Sequence, residues 1–167
     1  ADRPALVRMS ELFATYLPDL QERISRLKRV AELKNDLGEA GAALDALARA
    51  ARLAVGEPAL IELLDLIEAQ VQRANARKEL VALYRELGDQ ILDTTVQERV
   101  FLTIAKESYG LGDRDTARDY YRRVLDSSSE HLVALEALEK IYGEGREFEQ
   151  LLEIFARRAE LAMRSDR

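Results

Sequence analysis

The chain has 167 residues, of which 47% are hydrophobic and 34% are charged, a composition typical of a folded domain rather than a disordered segment. Its net charge of −6 disfavours binding to nucleic acid or insertion into an anionic membrane surface. The lack of cysteine excludes disulfides and thiolate metal sites, and no run approaches the roughly 18 apolar residues of a membrane span.

Apolar residues recur at steps of three and four along the whole chain, which is the spacing of a helix face. In the segment 58–74 this face comprises Leu60, Leu63, Leu64, Ile67 and Val71. The sequence therefore predicts an all-α chain of about nine helices, near 4–16, 19–37, 40–54, 58–73, 76–87, 95–110, 114–126, 131–143 and 147–164. The short connections predict antiparallel neighbours.

The residues at the predicted helix ends fit these boundaries. Proline is tolerated in a first turn, and Pro4, Pro18 and Pro58 lie where predicted helices can begin. Glycine can adopt the left-handed conformation that ends a helix, and it occurs in the stretches 38–41, 110–113 and 143–145. Asp113 and Asp115 are candidate helix caps.

The apolar pattern returns along the chain with a period of 34 to 37 residues. An offset of 34 aligns Phe101, Ile104, Ala117 and Tyr121 with Leu135, Leu138, Leu151 and Phe155. An offset of 37 aligns the same four with Leu64, Ile67, Leu80 and Tyr84, and a further 37 leads to Leu27, Val30, Ala43 and Leu47. Such a period indicates stacked units of two helices each.

The unit RVFLTIAKESYGLGDRDTARDYYRRVL, residues 99–125, resembles the tetratricopeptide repeat (TPR) family. Its first helix carries the large–Leu–small pattern, its turn contains Gly112 and Asp113, and Ala117 and Tyr121 fit the small–aromatic pattern of the second helix. The other units depart from the pattern at Glu68, Glu139, Leu80, Leu151, Arg158 and Ser129.

The resemblance implies a right-handed superhelical solenoid of antiparallel helix pairs. We expect a single TPR-like domain over residues 1–167, with units near 24–60, 61–97, 98–131 and 132–165 after a lone helix at 4–16. The aromatic residues on apolar helix faces are expected in the core: Phe13, Tyr16, Tyr84, Phe101, Tyr121, Tyr142 and Phe155. Tyr109 lies beside the core face of its helix and is left open.

Neither end of the predicted array carries the polar outer face of a capping repeat. The last helix has an apolar face of Leu151, Leu152, Phe155, Ala159 and Ala162. Two hypotheses follow: the chain is an excerpt of a longer array, or its uncapped terminal helices form a homodimer.

The sequence contains no recognisable catalytic, metal or cofactor motif. His131 is the only histidine, has no nucleophile motif around it, and is expected in a turn or first helical turn. Acidic pairs such as Glu62 with Asp65 lack the Glu-x-x-His motif of a bundle metal site and are expected on solvated faces. The GLGDRD segment lacks the third glycine of a dinucleotide motif and is expected to be a turn. We therefore expect no enzyme activity, metal or cofactor.

Members of the resembled family bind partners in a concave groove formed by the first helix of each pair. In the best unit and its successor, the groove positions give the candidate partner-binding residues Arg99, Thr103, Lys106, Tyr109, Glu136 and Lys140. The earlier units offer Ser25, Lys28, Glu32, Asn35, Glu62, Asp65, Ala69 and Gln72. Glu32 stands where a carboxylate clamp needs asparagine, so we expect no such clamp. The basic and aromatic candidates indicate an extended acidic or aromatic peptide as the ligand.

The resulting prediction is a protein-interaction scaffold without nucleic-acid partners or membrane insertion. The alternative is a structural, self-oligomerising segment of a larger protein. The lack of cysteine suits a reducing compartment, so we expect a cytoplasmic location. Because the chain opens at Ala1 without methionine, a removed leader and an exported context stay open as alternatives.

Overall fold

A computed structural model of the chain describes residues 3–165 and contains nine helices and no strand in that range. The helices are α1 Arg3–Tyr16, α2 Leu20–Asp36, α3 Ala40–Leu53, α4 Ala59–Ala74, α5 Arg77–Gly88, α6 Thr94–Gly110, α7 Arg114–Ser127, α8 Leu132–Gly145 and α9 Phe148–Ser165. The all-α prediction is confirmed, and each predicted helix corresponds to an observed one.

The helices group into two compact units, residues 1–92 with α1 to α5 and residues 93–167 with α6 to α9. Within each unit, every helix packs mainly against the helices that precede and follow it in the chain. This order is typical of stacked helix pairs, because each pair contacts only its neighbours. The expectation of one domain over residues 1–167 stays a prediction.

Side chains at the helix starts explain several boundaries. Asp19, Asp93 and Asp113 precede α2, α6 and α7, and each carboxylate accepts a hydrogen bond from a backbone N–H of the first turn. His131 precedes α8, and its Nδ1 accepts from the backbone N–H of Ala134 at 3.3 Å. These contacts satisfy amides that have no partner within the helix. They confirm the expectations for Asp113 and for His131.

The helix pairs approach closely where small residues lie between them. In the α2–α3 pair, Ala31, Ala43 and Ala50 are buried, and in the α6–α7 pair, Ala105 and Ala117 are buried. Small side chains let helix backbones come near, while the larger residues fill the space between successive pairs. The aligned positions from α2 to α8 are therefore buried in the core, as the repeat predicts, whereas Leu151 and Phe155 on α9 are not.

Two acidic residues occupy positions where the repeat pattern has a small residue, and each has a polar partner on the following helix. The hydroxyl of Tyr84 donates to Glu68 at 3.1 Å. Arg158 forms an ion pair with Glu139. A half-buried carboxylate is tolerated at these sites because it is hydrogen-bonded.

Polar contacts join residues about one repeat apart. Lys28 pairs with Glu62 at a sequence separation of 34, and Arg52 pairs with Glu86 at the same separation. In the second unit, Arg164 pairs with Glu130, again 34 residues away. Equivalent faces of successive helix pairs are thus adjacent, which supports the predicted period.

The Arg52–Glu86 pair predicts a pH effect. Arg52 donates two hydrogen bonds of 2.8 Å to the carboxylate, and they lower the pKa of Glu86 below its ordinary value. A lowered carboxyl pKa gives stability that is present above the unfolded-state pKa and lost as pH falls through the folded-state pKa. We expect the variant Arg52→Gln to return the pKa of Glu86 towards its ordinary value in an NMR titration. An unchanged Glu86 titration in that variant would contradict the assignment.

Three aromatic residues expected in the core are exposed instead. Phe13 and Tyr16 on α1 are 46% and 80% exposed, and Phe155 on α9 is 44% exposed. Tyr121, the aligned counterpart of Phe155, is buried because α8 follows α7 and covers it, whereas within residues 3–165 no helix follows α9. The prediction holds for Tyr84, Phe101, Tyr121 and Tyr142, which are buried.

Candidate functional site

The predicted partner-binding residues lie on two helices of the second unit. Arg99, Thr103, Lys106 and Tyr109 follow one another at steps of four and three along α6, so they share one face. Glu136 and Lys140 are one turn apart on α8. These helices begin successive pairs, so the candidate site is a surface shared by two first helices.

Tyr109 and Lys140 are predicted residues from different helices that the structure brings into direct contact. The Lys140 ammonium lies 5.1 Å from the centre of the Tyr109 ring, within range of a cation–π interaction. The Tyr109 hydroxyl donates to Glu144 of α8 at 3.0 Å. Arg114 at the start of α7 also pairs with Glu144 at 3.0 Å. Tyr109 is therefore held in place by α8 and does not belong to the core.

The other predicted residues differ in their surroundings. Thr103 donates its hydroxyl to the backbone oxygen of Arg99 at 3.0 Å, so it is partly used within α6. The carboxylate of Glu136 lies 3.8 Å from the guanidinium of Arg158 on α9, so Glu136 forms an ion pair with that helix. Lys106 is exposed and has no carboxylate partner in the described part of the chain. The structure thus joins α6 and α8 through Tyr109 and Lys140, not through Glu136.

The charge of this surface comes from its lysines. Burial raises the pKa of the neighbouring Tyr121 hydroxyl, and the proximity of Tyr109 raises it further, so Tyr121 stays neutral. Lys140 has the Tyr109 ring as its neighbour, and neither it nor Lys106 forms an ion pair among residues 3–165. The two ammonium groups are available to a negatively charged ligand.

The equivalent surface of the first unit contains a cavity between α2 and α4. It has a volume of about 330 Å³, and residues that line it include Lys28, Glu32, Asn35, Glu62, Ala69 and Gln70. Five of these six were groove positions in the sequence, whereas Gln70 and the further lining residues Ala31, Leu47, Leu66 and Arg73 were not. The ion pair of Lys28 and Glu62, 2.5 Å long, spans the two helices. Here the structure places predicted groove residues around one depression.

Gln70 is a buried polar residue beside this cavity that the sequence analysis did not indicate. It is only 3% exposed, and its amide exchanges hydrogen bonds of 2.9 and 2.8 Å with the amide of Asn35. It also donates to the backbone oxygen of Ala40 at 2.9 Å. The sequence does contain a signal for it, because Gln70 lies on the same helix face as the apolar residues Ile67 and Val71. An amide buried on such a face requires hydrogen-bond partners on neighbouring helices.

Residues 3–165 contain no group of three or more histidine, aspartate or glutamate side chains arranged to hold a metal ion. No helix in this range is both long enough and apolar enough to cross a bilayer.

Comparisons with known proteins show similarity in structure alone. No protein-family model matches the sequence, and no curated protein matches it significantly. The crystal structure of MamA matches 96% of this chain and 88% of that chain, with a TM-score of 0.58 and 12% identity. A second structure, MamA MSR-1 C2, matches 98% of each chain with a TM-score of 0.51 and 16% identity.

The matched structures are TPR-like helical solenoids. At these identities the similarity concerns the fold alone. The chain therefore has an all-helical, TPR-like repeat fold, in agreement with the resemblance of residues 99–125.

Proposed function

We propose that this chain is a non-catalytic scaffold that binds a peptide segment of a protein partner on the surface formed by α6 and α8. The supporting observation is the pair of exposed lysines, Lys106 and Lys140, which have no carboxylate partner within residues 3–165. Elsewhere in the structure basic side chains commonly have such partners, for example Lys28, Arg52 and Arg164. Two unpaired cations on adjacent first helices favour an acidic ligand.

Tyr109 adds a second element of recognition. Its hydroxyl is held by Glu144 and its ring lies beside Lys140, so the ring is positioned before a ligand arrives. A rigid, amphipathic aromatic side chain contributes contact area at low entropic cost. The preferred ligand is accordingly an extended peptide with acidic residues next to an aromatic or apolar residue. Arg99, Thr103 and Glu136 complete the surface along α6 and α8.

The test is selection from a randomised peptide library displayed against the purified chain. We expect enrichment of peptides rich in aspartate and glutamate, and we expect the variant Lys106→Glu/Lys140→Glu to bind the selected peptides at least about tenfold more weakly, because like charges then face each other. Affinities would be measured by fluorescence anisotropy.

A matched control is Lys78→Glu on α5, which also reverses the charge of an exposed lysine but lies outside the proposed surface. This variant should retain the affinity of the unmodified chain. Failure of the library to enrich any acidic motif, or equal binding by the double variant, would refute the proposal.

A further inference from the structure

Two tyrosines at the same repeat position differ in their hydrogen bonding. An offset of 37 residues aligns Tyr84 with Tyr121, and the same offset aligns Glu68 with Ala105. The hydroxyl of Tyr84 donates to the Glu68 carboxylate at 3.1 Å, whereas the position that corresponds to Glu68 in the next repeat is an alanine. The hydroxyl of Tyr121 accordingly forms no hydrogen bond within residues 3–165.

The unpartnered hydroxyl of Tyr121 is not explained by packing. Tyr121 is only 5% exposed, and nearly all polar groups on such buried side chains are hydrogen-bonded in folded proteins. A phenylalanine would fill the same apolar space without the cost of removing a hydroxyl from water. A ligand that supplies the missing partner would account for the tyrosine.

The hydroxyl of Tyr121 lies beside the α6–α8 surface. Its repeat position directs it towards the part of α6 that contains Ala105, and Tyr109 follows Ala105 by four positions on the same helix face. Burial and, after it, the proximity of Tyr109 raise the pKa of Tyr121, so the two hydroxyls are near each other. Tyr109 in turn contacts Lys140 of α8, which belongs to the proposed surface.

The hydroxyl of Tyr121 also keeps some contact with solvent. Among residues 3–165, the side-chain hydroxyl that both lacks a partner and is closed off from solvent is that of Ser108. The hydroxyl of Tyr121 lacks a partner as well but is not closed off in this way. A ligand group on the surface can therefore reach it.

We propose that Tyr121 is a specificity-determining residue of the α6–α8 surface, and that its hydroxyl donates a hydrogen bond to a carboxylate of the bound peptide. This inference rests on the function proposed above, because Lys106 and Lys140 are the cations that attract the carboxylate. A hydrogen bond to an ionised acceptor is stronger than one to a neutral acceptor, so an acidic side chain is the preferred partner. One acidic residue of the ligand thereby contacts α7 as well as the two first helices.

The substitution Tyr121→Phe tests this contact, because it removes the hydroxyl and keeps the ring. With the acidic peptides selected from the library as probes, we expect fluorescence anisotropy to show about tenfold weaker binding, since a hydrogen bond to a charged group is lost. Urea denaturation followed by circular dichroism should show a midpoint that is not lowered, since the variant removes no hydrogen bond within residues 3–165.

The matched control is Tyr84→Phe, which makes the same change at the equivalent repeat position. It removes the hydrogen bond to Glu68, so it should lower the urea midpoint and leave the peptide affinity unchanged. The two variants are thus expected to show opposite patterns of affinity and stability. Unchanged peptide affinity in Tyr121→Phe would overturn the proposal. So would a urea midpoint lowered as much as in Tyr84→Phe, which would indicate a structural role for the Tyr121 hydroxyl.

Peptides in which each acidic residue is replaced singly by alanine identify the ligand group. One of these peptides should bind Tyr121→Phe and the unmodified chain with nearly equal affinity, because it lacks the partner of the hydroxyl. A tenfold difference that persists with every alanine peptide would show that the hydroxyl does not contact an acidic side chain, and would overturn the proposal.

The outcomes distinguish this inference from the function on which it rests. Weaker binding by Lys106→Glu/Lys140→Glu together with no effect of Tyr121→Phe would leave the scaffold proposal intact and refute the role of Tyr121. A library that enriches no acidic peptide would refute both.

Discussion

Replacement of Leu64 by alanine is expected to lower the free energy of unfolding by about 3 kcal/mol, since large-to-small substitutions of fully buried leucine remove apolar contacts and leave a cavity. Leu64 is 0% exposed and occupies the repeat position that Phe101 holds in the next repeat. The hydroxyl of Tyr84 also lies 3.5 Å from the backbone oxygen of Leu64, so neighbours have little freedom to close the space.

Urea denaturation followed by circular dichroism would measure this loss. Leu66→Ala serves as the control, because Leu66 is on the same helix but is 36% exposed and borders the α2–α4 cavity. We expect the control to cost less than about 1 kcal/mol, in proportion to the smaller apolar area it removes from contact. Equal losses for the two variants would show that α4 does not bury the face assigned to it.

Replacement of Gln70 by alanine is expected to cost about 3 kcal/mol, because it leaves buried polar groups without partners as well as a cavity. The variant removes the hydrogen bonds that Gln70 makes to Asn35 and to the backbone oxygen of Ala40. These contacts connect α4 to α2 and to the start of α3, where Glu39 provides no side-chain cap. Gln72→Ala, at an exposed position on the same helix, should change stability by less than about 0.5 kcal/mol.

A double-mutant cycle with Asn35→Ala separates the amide pair from the other effects of the Gln70 variant. The two amides bond to each other, so both single variants break the same interaction. The sum of the unfolding free energies lost by the two single variants should therefore exceed the loss in the double variant by roughly 1 kcal/mol or more. Strict additivity would mean that the two side chains do not interact in solution. The readout is again the free energy of unfolding from urea titration.

The helical architecture follows from the sequence because it depends on local features. The three- and four-residue spacing of Leu60, Leu63 and Leu64 with their successors marks a buried face without reference to other helices. Asp113 acts as a cap by accepting a hydrogen bond from the backbone N–H of Thr116, three positions away. The repeat then predicts which helix faces are in contact, since each helix pair of a repeat array is expected to pack on the next in the same way.

The partners of individual side chains do not follow from the same features. Tyr109 could be assigned to the groove or to the core, and only the position of Glu144 and Lys140 on α8 decides between them. Phe155 has the sequence pattern of Tyr121 but lacks a covering helix among residues 3–165, so the same residue type at the same repeat position ends up exposed. Both outcomes depend on which helix lies next to the residue, and apolar spacing carries no information about that.

Hydrogen bonds and ion pairs that join one helix pair to the next connect residues only about one repeat apart in the sequence. Examples are Lys28 with Glu62 and Tyr109 with Glu144. Each such contact therefore closes a loop of similar, modest length, and the entropy lost on closure is nearly the same for each. Folding can begin in any pair and proceed outward without waiting for distant segments to meet, so this topology favours rapid acquisition of structure while the chain is still being synthesised.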